Sequence, residues 1–246
     1  MKVLAIHNIK GGVGKTAAAV NLAYEAAGAG ARTLVWDLDP QAATSFYFRI
    51  KPKVKGGGKG IVKGKTELDD RIKGTDFDNL DLMPADFSYR EFDAQLDATD
   101  KTNRLAKALK PLASQYDFVF LDCPPSISHL SENVFAAAHG LVIPLLPTTL
   151  SLRTYDQLCR FLDERRISPK RRLPFLSMID RRKTLHRDVM TSFPAQHKEA
   201  LATGIPYSSV VERMGLERAP VRAFAPRSAA ARAFADLWDE IATRVG

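Results

Sequence analysis

Runs of consecutive apolar residues alternate along the chain with longer stretches in which apolar residues recur at helical spacing. The apolar runs have the length of buried strands and cover residues 2–7, 33–37, 80–83, 118–121, 141–146 and 173–179. The helical stretches cover residues 15–29, 101–115, 128–138, 152–165, 187–202 and 228–244. Because the strands are apolar throughout, the pattern is typical of a parallel sheet covered on both faces. It predicts an α/β fold with one doubly wound, mainly parallel sheet and helices on both faces.

The length of 246 residues fits a single α/β domain. The sequence has neither an internal repeat nor a Pro/Ser-rich linker, so we expect one domain over residues 1–246. Residues 51–65, KPKVKGGGKGIVKGK, are rich in Gly and Lys and have no periodicity. They predict a surface excursion between the second strand and the third.

A glycine-rich segment, Lys10-Gly11-Gly12-Val13-Gly14-Lys15-Thr16, lies between the first predicted strand and an Ala-rich helix. Glycines at such a turn let several backbone N–H groups and the helix N-terminus face a phosphate. In a P-loop the lysine reaches the β- and γ-phosphates, and the following hydroxyl ligates Mg²⁺. Ile9 stands where the ordinary motif has its first glycine. The segment therefore predicts a nucleoside triphosphate site built on a variant P-loop.

Three carboxylates follow predicted strands downstream of this loop. Asp122 comes directly after the strand at 118–121, while Asp37 and Asp39 lie at the end of the strand at 33–37. The carboxyl ends of parallel strands meet at one edge of a sheet, beside the P-loop. We expect Asp122 to hold Mg²⁺ and one of the other two acids to order the attacking water. Asp37 and Asp39 would point the same way if the strand continued through both.

These motifs resemble those of the deviant Walker A ATPases of the ParA/MinD family, a branch of the P-loop NTPases. The resemblance is carried by residues 10–16, Asp37-Leu38-Asp39-Pro40-Gln41 and Leu121-Asp122-Cys123-Pro124-Pro125. It continues through Ile143-Pro144, Ile205-Pro206 and Ala225-Pro226-Arg227-Ser228. It implies a homodimer that forms when ATP is bound and in which Lys10 touches the phosphates held by the other subunit. It also implies Mg²⁺-dependent ATP hydrolysis that is slow until a partner stimulates it.

The same resemblance assigns roles to individual residues. Lys10, Lys15 and Asp39 are implied to be catalytic, with Asp39 positioning water, and Thr16, Asp37 and Asp122 are implied to hold Mg²⁺. The residues implied to bind the nucleotide are Gly11, Gly12, Val13, Gly14, Lys15, Thr16, Ala17, Pro226 and Arg227, the last two beside the adenine. Two positions depart from the family pattern: Ala42 replaces a usual glycine, and Pro147-Thr148-Thr149 replaces a usual acidic residue of the dimer-facing loop.

The net charge of +8 is concentrated in the C-terminal part of the chain. Residues 151–246 hold 18 Lys and Arg against 11 Asp and Glu, whereas residues 1–150 hold 18 against 17. Clustered basic residues fit sequence-independent binding to DNA phosphates, which ParA-like proteins use. The candidate DNA contacts are Arg165, Arg166, Lys170, Arg171, Arg172, Arg181, Arg182, Lys183, Arg187 and Arg213.

The expected function is therefore that of a ParA-like ATPase, cytoplasmic and associated with the nucleoid. Its cargo would be a chromosome, a plasmid or a protein assembly such as a carboxysome, recognised through a ParB-like or other adaptor. The cytoplasmic location is favoured by a start that lacks the apolar core of a signal peptide and by only two cysteines, Cys123 and Cys159.

Other functions known on this fold stay open at this stage. A MinD-like protein would end in a basic amphipathic helix on the membrane. Here the last helix has an apolar stripe, but its polar face is acidic and anionic lipid repels it. We therefore expect the stripe to pack in the core, without stable membrane association; its residues are Phe234, Leu237, Trp238, Ile241 and Val245. A metabolic P-loop ligase of the dethiobiotin or cobyrinate synthetase type, or an iron–sulfur reductase using Cys123 and Cys159, would need further ligands.

Overall fold

The computed structural model describes residues 1–54, 68–91, 94, 96, 102–167 and 171–246. The strands in this part of the chain are β1 (Lys2–Ile6), β2 (Thr33–Asp37), β3 (Lys73–Gly74), β4 (Leu80–Met83), β5 (Phe118–Asp122), β6 (Gly140–Leu145) and β7 (Arg172–Leu176). The longer helices are α1 (Lys15–Gly28), α3 (Arg104–Leu109), α4 (His129–Ala137), α5 (Thr149–Glu164), α6 (Thr184–Gln196) and α10 (Ala229–Val245). Four short helices complete the set: α2 (Ala43–Tyr47), α7 (Ser209–Glu212), α8 (Met214–Glu217) and α9 (Val221–Phe224).

The strands form one sheet in the order β3-β4-β2-β5-β1-β6-β7. Every pairing is parallel except that of the two-residue strand β3, which runs antiparallel to β4. The predicted doubly wound, mainly parallel sheet is thereby confirmed. Strand β1 lies between β5 and β6, so the loop that follows it emerges near the middle of the carboxyl edge.

Helices cover both faces of the sheet. Helices α1 and α10 pack together on one face, where Ala-rich α1 contributes small side chains that allow close approach. Helices α4 and α5 contribute to the core on the other face. The apolar stripe of α10 is at most 5% exposed, and the Trp238 ring packs edge-on against Phe118 at 4.9 Å. The prediction that this stripe belongs to the core is confirmed. Within the described residues, every helix is too short or too polar to cross a lipid bilayer.

Several element boundaries differ from the sequence-based prediction for local reasons. The strand predicted at 173–179 ends at Leu176, because Met178 adopts a left-handed backbone conformation with φ 55°. The helix predicted at 101–115 is split, with α3 followed by a 3₁₀ turn at Lys110–Ser114 where Pro111 lacks an N–H. The helix predicted at 187–202 spans Thr184–Gln196. Most of the predicted excursion at 51–65 lies outside the described residues.

Candidate functional site

The carboxyl edge of the sheet brings the predicted nucleotide residues together. The P-loop runs from β1 into α1, while Asp37 ends β2 and Asp122 ends β5. Asp37 and Asp122 are register partners on adjacent parallel strands, so their carboxyl groups lie side by side. The predicted convergence of these acids beside the loop is what the structure shows.

The P-loop backbone requires two of its glycines. Gly12 and Gly14 have φ values of 71° and 93°, a region that side chains disfavour. A Cβ on Gly14 would also lie only 3.0 Å from the Ser177 hydroxyl oxygen. Val13 is fully buried between them and anchors the loop to the core. The Lys15 ammonium reaches back across the loop and donates to the Lys10 carbonyl at 3.2 Å.

Lys15 is a buried cation that faces carboxylates. Burial lowers its pKa, and the negative charges of Asp122 and Asp39 oppose that shift. The Lys15 side chain is only 7% exposed, so its charge acts with little screening by solvent. This arrangement suits a cation that binds phosphate oxygens next to acidic groups.

The two buried carboxyl groups differ in how their oxygens are used. Oδ2 of Asp37 accepts from the Ser45 backbone N–H at 2.8 Å and from its hydroxyl at 2.7 Å, and Oδ1 faces the Asp39 N–H at 3.3 Å. Oδ2 of Asp122 accepts from the Thr44 hydroxyl at 2.7 Å. Oδ1 of Asp122 is buried and has no hydrogen-bond partner among the described residues. Burial, reinforced by nearby negative charge, raises the pKa of both acids.

A hard divalent cation fits this pair of acids. An unpartnered buried carboxylate oxygen is costly, and Mg²⁺ prefers oxygen ligands. The free Oδ1 of Asp122 therefore offers a ligand position, directly or through water. The Thr16 hydroxyl also hydrogen-bonds Asp122, which places the second predicted ligand at the same spot. Asp37, whose oxygens both face protein donors, supports the site beside them.

Asp39 lies in the loop after β2. Since the strand ends at Asp37, the expectation that both acids follow strand alternation is wrong. Asp39 is half-buried, its Oδ1 accepts from the Gln41 N–H at 2.9 Å, and its charge acts on both Asp122 and Lys15. It therefore lies within electrostatic reach of the site, although not by the predicted geometry.

Lys10 stands at the rim of the loop. Its backbone N–H donates to Asn8 Oδ1 at 2.8 Å, and the Asn8 amide donates to the Pro144 carbonyl at 2.8 Å. These bonds tie the start of the loop to the end of β6. The Lys10 side chain is half-exposed, and its ammonium pairs with no carboxylate within the described residues. Lys10 is thus fixed by its backbone and free at its charged end.

A cavity of about 100 Å³ opens next to the loop. Its wall includes Gly14 and Ala17 on one side and Pro206, Tyr207 and Val211 on the other. Its position beside the start of α1 suits a base attached to phosphates held in the P-loop. Pro226 and Arg227, predicted to lie beside the adenine, precede α10 and are not among the residues that line this cavity.

Sequence motifs did not reveal four polar residues that complete the site. Asn8 fixes the loop, and Thr44 and Ser45 hold the two buried acids. His7 donates from Nε2 to the Ser126 carbonyl at 2.9 Å, and burial lowers its pKa to about 4, so it stays neutral. The one available signal was that all four stand within six residues of a predicted site residue along the chain.

Comparisons with known proteins agree with this geometry. A family model described as an AAA domain matches residues 1–174. The sporulation initiation inhibitor protein Soj of Bacillus subtilis is 32% identical over 248 residues, which cover 98% of this chain and 98% of Soj. The chromosome partitioning protein ParA of Caulobacter vibrioides is 31% identical over 253 residues, covering 99% and 95% of the two chains. This chain belongs to the ParA/MinD family of P-loop ATPases.

A solved structure supports the same fold for this ParA/MinD-family chain. Cobyrinic acid a,c-diamide synthase from Mycobacterium smegmatis, with bound ATP analog and magnesium, superposes with a TM-score of 0.85 at 28% identity. The match covers 99% of this chain and 95% of that one. The resemblance inferred from the motifs is therefore confirmed.

The basic residues predicted to contact DNA fall on two opposite edges of the sheet. We name as the amino-edge basic group the residues around the end of α5 and the start of β7: Arg165, Arg166, Arg171 and Arg172. We name as the carboxyl-edge basic group the residues that follow β7: Arg181, Arg182, Lys183 and Arg187. The length of β7 separates the groups by roughly 15 Å. Lys170 lies outside the described residues.

Several of these arginines are paired with acids. In the amino-edge basic group, Arg172 bonds Asp163 and Arg165 approaches Glu132 at 3.7 Å. In the carboxyl-edge basic group, Arg182 forms two 2.9 Å bonds to Asp180, yet its side chain is 85% exposed. Arg213 pairs with Glu217 between α7 and α8. The ten candidates therefore do not form one continuous surface.

The two cysteines are also separated by the sheet. Cys123 is buried after the carboxyl end of β5, whereas Cys159 lies within α5 near Tyr155 and Arg172, the first residue of β7. Burial raises the pKa of both thiols, which favours their neutral form over the thiolate that metals bind. Nothing in this arrangement favours a shared cluster.

Proposed function

We propose that this chain is a ParA-like positioning ATPase whose ATP-bound dimer binds DNA without sequence preference and whose hydrolysis releases it. The observation that carries the proposal is the pair of lysines in the P-loop. Lys15 already supplies a buried cation to the loop's own phosphates, while Lys10 presents a second, unpaired cation at the rim. That second cation suits a triphosphate bound by another copy of the chain.

Each residue of the site has a role in this scheme. Backbone N–H groups of the loop, from Gly11 to Ala17, cradle the phosphates, and Lys15 neutralises their charge. Mg²⁺ bound beside Thr16 and Asp122 supplies positive charge at the phosphate oxygens. Asp37 stabilises that arrangement from the neighbouring strand. Asp39, half-buried in a loop, positions the attacking water through its carboxylate.

The adenine is proposed to lie in the cavity beside Gly14 and Ala17. Tyr207 and Pro206 there offer flat apolar surface to a base. Pro226 and Arg227 remain proposed contacts at the outer side of the nucleotide.

The dimer is proposed to form through the face that carries the P-loop. Two apolar side chains are exposed on loops at that edge: Ile127, after β5, is 38% exposed, and Leu150, after β6, is 61% exposed. A second copy would cover them. Because the phosphates complete the interface, ATP favours the dimer and ADP, which lacks the γ-phosphate, does not.

DNA is proposed to bind the carboxyl-edge basic group. This group lies at the same sheet edge as the P-loop, so dimerisation through that edge brings two such groups together and doubles the number of phosphate contacts. Arg181 and Arg232 line a common groove of about 570 Å³, which extends the basic surface toward α10. Binding at this edge would couple the nucleotide state to DNA affinity.

The proposed cargo is a chromosome or plasmid, reached through a ParB-like adaptor that stimulates hydrolysis. The support is that the similar proteins include one named for chromosome partitioning. In this scheme the protein associates with the nucleoid in its ATP-bound state.

DNA binding in defined nucleotide states tests the proposal. Protein loaded with a nonhydrolysable ATP analogue and Mg²⁺ should retard random-sequence duplex DNA at low salt and release it as salt rises. Protein loaded with ADP should bind much more weakly. Equal binding in both states, or none in either, would contradict the proposal.

A second candidate is an amide-forming synthetase, because the similar structure of a diamide synthase shares 28% identity with this chain. Such an enzyme turns over ATP only when a carboxylic acid and a nitrogen donor are present. ATP turnover that DNA and an adaptor stimulate, without any small acid, would favour the positioning function over this one.

A further inference from the structure

Helix α2 holds both buried acids of the nucleotide site. The Thr44 hydroxyl donates to Asp122 at 2.7 Å, and the next residue, Ser45, donates twice to Asp37. Thr44 and Ser45 are fully buried, so water does not replace these bonds. The orientation of Asp122, and hence the direction of its free Oδ1, depends on where α2 lies.

This helix cannot hold its own position. It has five residues, no side-chain cap, and an N-terminal residue, Ala42, in the left-handed region at φ 58°. Helices of this length are not stable without tertiary contacts. One contact is internal to the site: the Ala85 N–H donates to the Ser45 hydroxyl oxygen at 2.9 Å. Another must hold the exposed side of the helix.

Arg218 provides that second contact from the C-terminal part of the chain. Its Nε donates to the Phe46 carbonyl at 3.0 Å, and its guanidinium carbon lies 4.5 Å from the centre of the Phe46 ring. Phe46 directly follows Ser45 and is largely exposed, so the arginine covers α2 from outside.

The backbone of Arg218 is an independent sign that this contact matters. Its φ is 48°, in the left-handed region where glycine is favoured. An arginine there accepts backbone strain, and strained residues persist where the surrounding structure holds them. The side chain that causes the strain is the one that binds α2.

We propose that Arg218 is a positioning residue of the nucleotide site, which holds α2 by the Phe46 carbonyl and ring and thereby fixes Asp122 and Asp37 through Thr44 and Ser45. The inference rests on the proposed assignment of Asp122 to Mg²⁺. Arg218 touches neither nucleotide nor metal and acts only through the helix.

Arg218→Gly separates this role from a structural one, because glycine is better suited to the backbone at φ 48° and the fold should not weaken. The probe is a fluorescent ADP analogue, bound in EDTA and then titrated with Mg²⁺. Affinity in EDTA should stay unchanged, while the Mg²⁺ concentration at half-effect rises by about fivefold, less than the roughly 10-fold or more caused by direct loss of an outer partner of a ligand. Leu216→Ala, on the same short helix at 83% exposure, is the matched control and should not shift the titration.

Two further variants test the proposed route through α2. Thr44→Val removes the hydroxyl that holds Asp122 and should raise the same Mg²⁺ concentration, whereas adding Arg218→Gly to it should raise it little further. Hydrogen exchange of the backbone amides at 44–49 should speed up in Arg218→Gly. Fully additive effects, or unchanged exchange, would overturn the proposal.

Asp122→Asn distinguishes failure of this inference from failure of the metal assignment. If Mg²⁺ still strengthens binding of the ADP analogue to Asp122→Asn as it does in the parent, the metal assignment falls, and the inference with it. If the Mg²⁺ effect is lost in Asp122→Asn but unchanged in Arg218→Gly, only the role of Arg218 is overturned.

Discussion

Asp37 and Asp122 lie side by side at the ends of β2 and β5, where burial raises the pKa of both carboxyl groups. Keeping two such acids ionised without a cation is unfavourable, because each loses water and repels the other. The site therefore stores an electrostatic cost that a bound cation relieves. At the scale of single residues, affinity for Mg²⁺ and low stability of the metal-free site have the same origin.

The first prediction concerns pH. Because the folded-state pKa of each acid lies above its unfolded value, their favourable contribution to stability is present below about pH 4 and is lost as pH rises toward neutrality. In EDTA, the midpoint of thermal unfolding should fall as pH rises from 5 to 8. Asp122→Asn should reduce this fall and raise the midpoint at pH 8 by a few degrees, at about 2–4 °C per kcal/mol.

Differential scanning fluorimetry in EDTA measures this effect. Asp156→Asn, an exposed acid on α5, is the control and should follow the parent curve. An Asp122→Asn variant that melts lower than the parent at pH 8 would contradict the account of the buried pair.

The second prediction concerns Ala42, which holds the left-handed position at the start of α2. A left-handed conformation costs a side-chain-bearing residue about 1–2 kcal/mol, and glycine loses about 0.4–1 kcal/mol through unfolded-state entropy. Ala42→Gly should therefore raise the free energy of unfolding by about 0.5–1 kcal/mol in urea titrations. The neighbouring Ala43→Gly, inside the helix, should lower it by a similar amount. Equal losses in both variants would argue against backbone strain at Ala42.

At the scale of elements, sequence predicted what periodicity and motifs can encode. Continuous apolar runs located the strands β1, β2, β4, β5, β6 and β7 to within a few residues, because buried parallel strands are apolar on both faces. Helices α2 and α7 to α9 have four or five residues, too few to show a helical period, and were not predicted. The P-loop and the acids were found because their spacing is local.

Contacts between distant parts of the chain could not be predicted. Thr44 bonds Asp122, 78 residues away, and Arg218 bonds Phe46, 172 residues away. Neither pair has a sequence signal beyond the identity of its members. The split of the basic residues between two edges was missed for a related reason, since five residues of β7 separate groups that are close in sequence.

The third prediction distinguishes the two basic groups. Arg181→Ala with Lys183→Ala, in the carboxyl-edge basic group, should weaken DNA binding by the ATP-bound protein and reduce its salt dependence by about one unit of slope per lost contact. The matched double variant Arg166→Ala with Arg171→Ala, in the amino-edge basic group, should leave both quantities nearly unchanged. Fluorescence anisotropy across a salt series measures both. Loss of binding only in the amino-edge variant would reverse the assignment.

At the scale of the whole molecule, the sheet topology places the P-loop, the buried acids, the exposed Ile127 and Leu150, and the carboxyl-edge basic group at one edge. Nucleotide, partner subunit and DNA can therefore act on one surface. The amino edge carries the remaining basic residues, of which Arg165 and Arg172 approach acids. One copy of the chain leaves Lys10 without a counter-charge within the described residues, and a second copy with ATP would supply it.

The fourth prediction follows from that charge. Lys10→Ala should keep the fold and nucleotide binding of the monomer, because the Lys10 backbone bond to Asn8 does not use its side chain. It should abolish ATP-dependent dimerisation. Lys107→Ala, which removes an exposed lysine of α3, is the control and should dimerise as the parent does.

Sedimentation velocity with a nonhydrolysable ATP analogue and Mg²⁺ tests the central claim most directly. The parent chain should sediment as a dimer with the analogue and as a monomer with ADP, and Lys10→Ala should remain a monomer in both. A Lys10→Ala protein that dimerises with the analogue as readily as the parent would contradict the claim that this lysine completes the nucleotide site of a second copy.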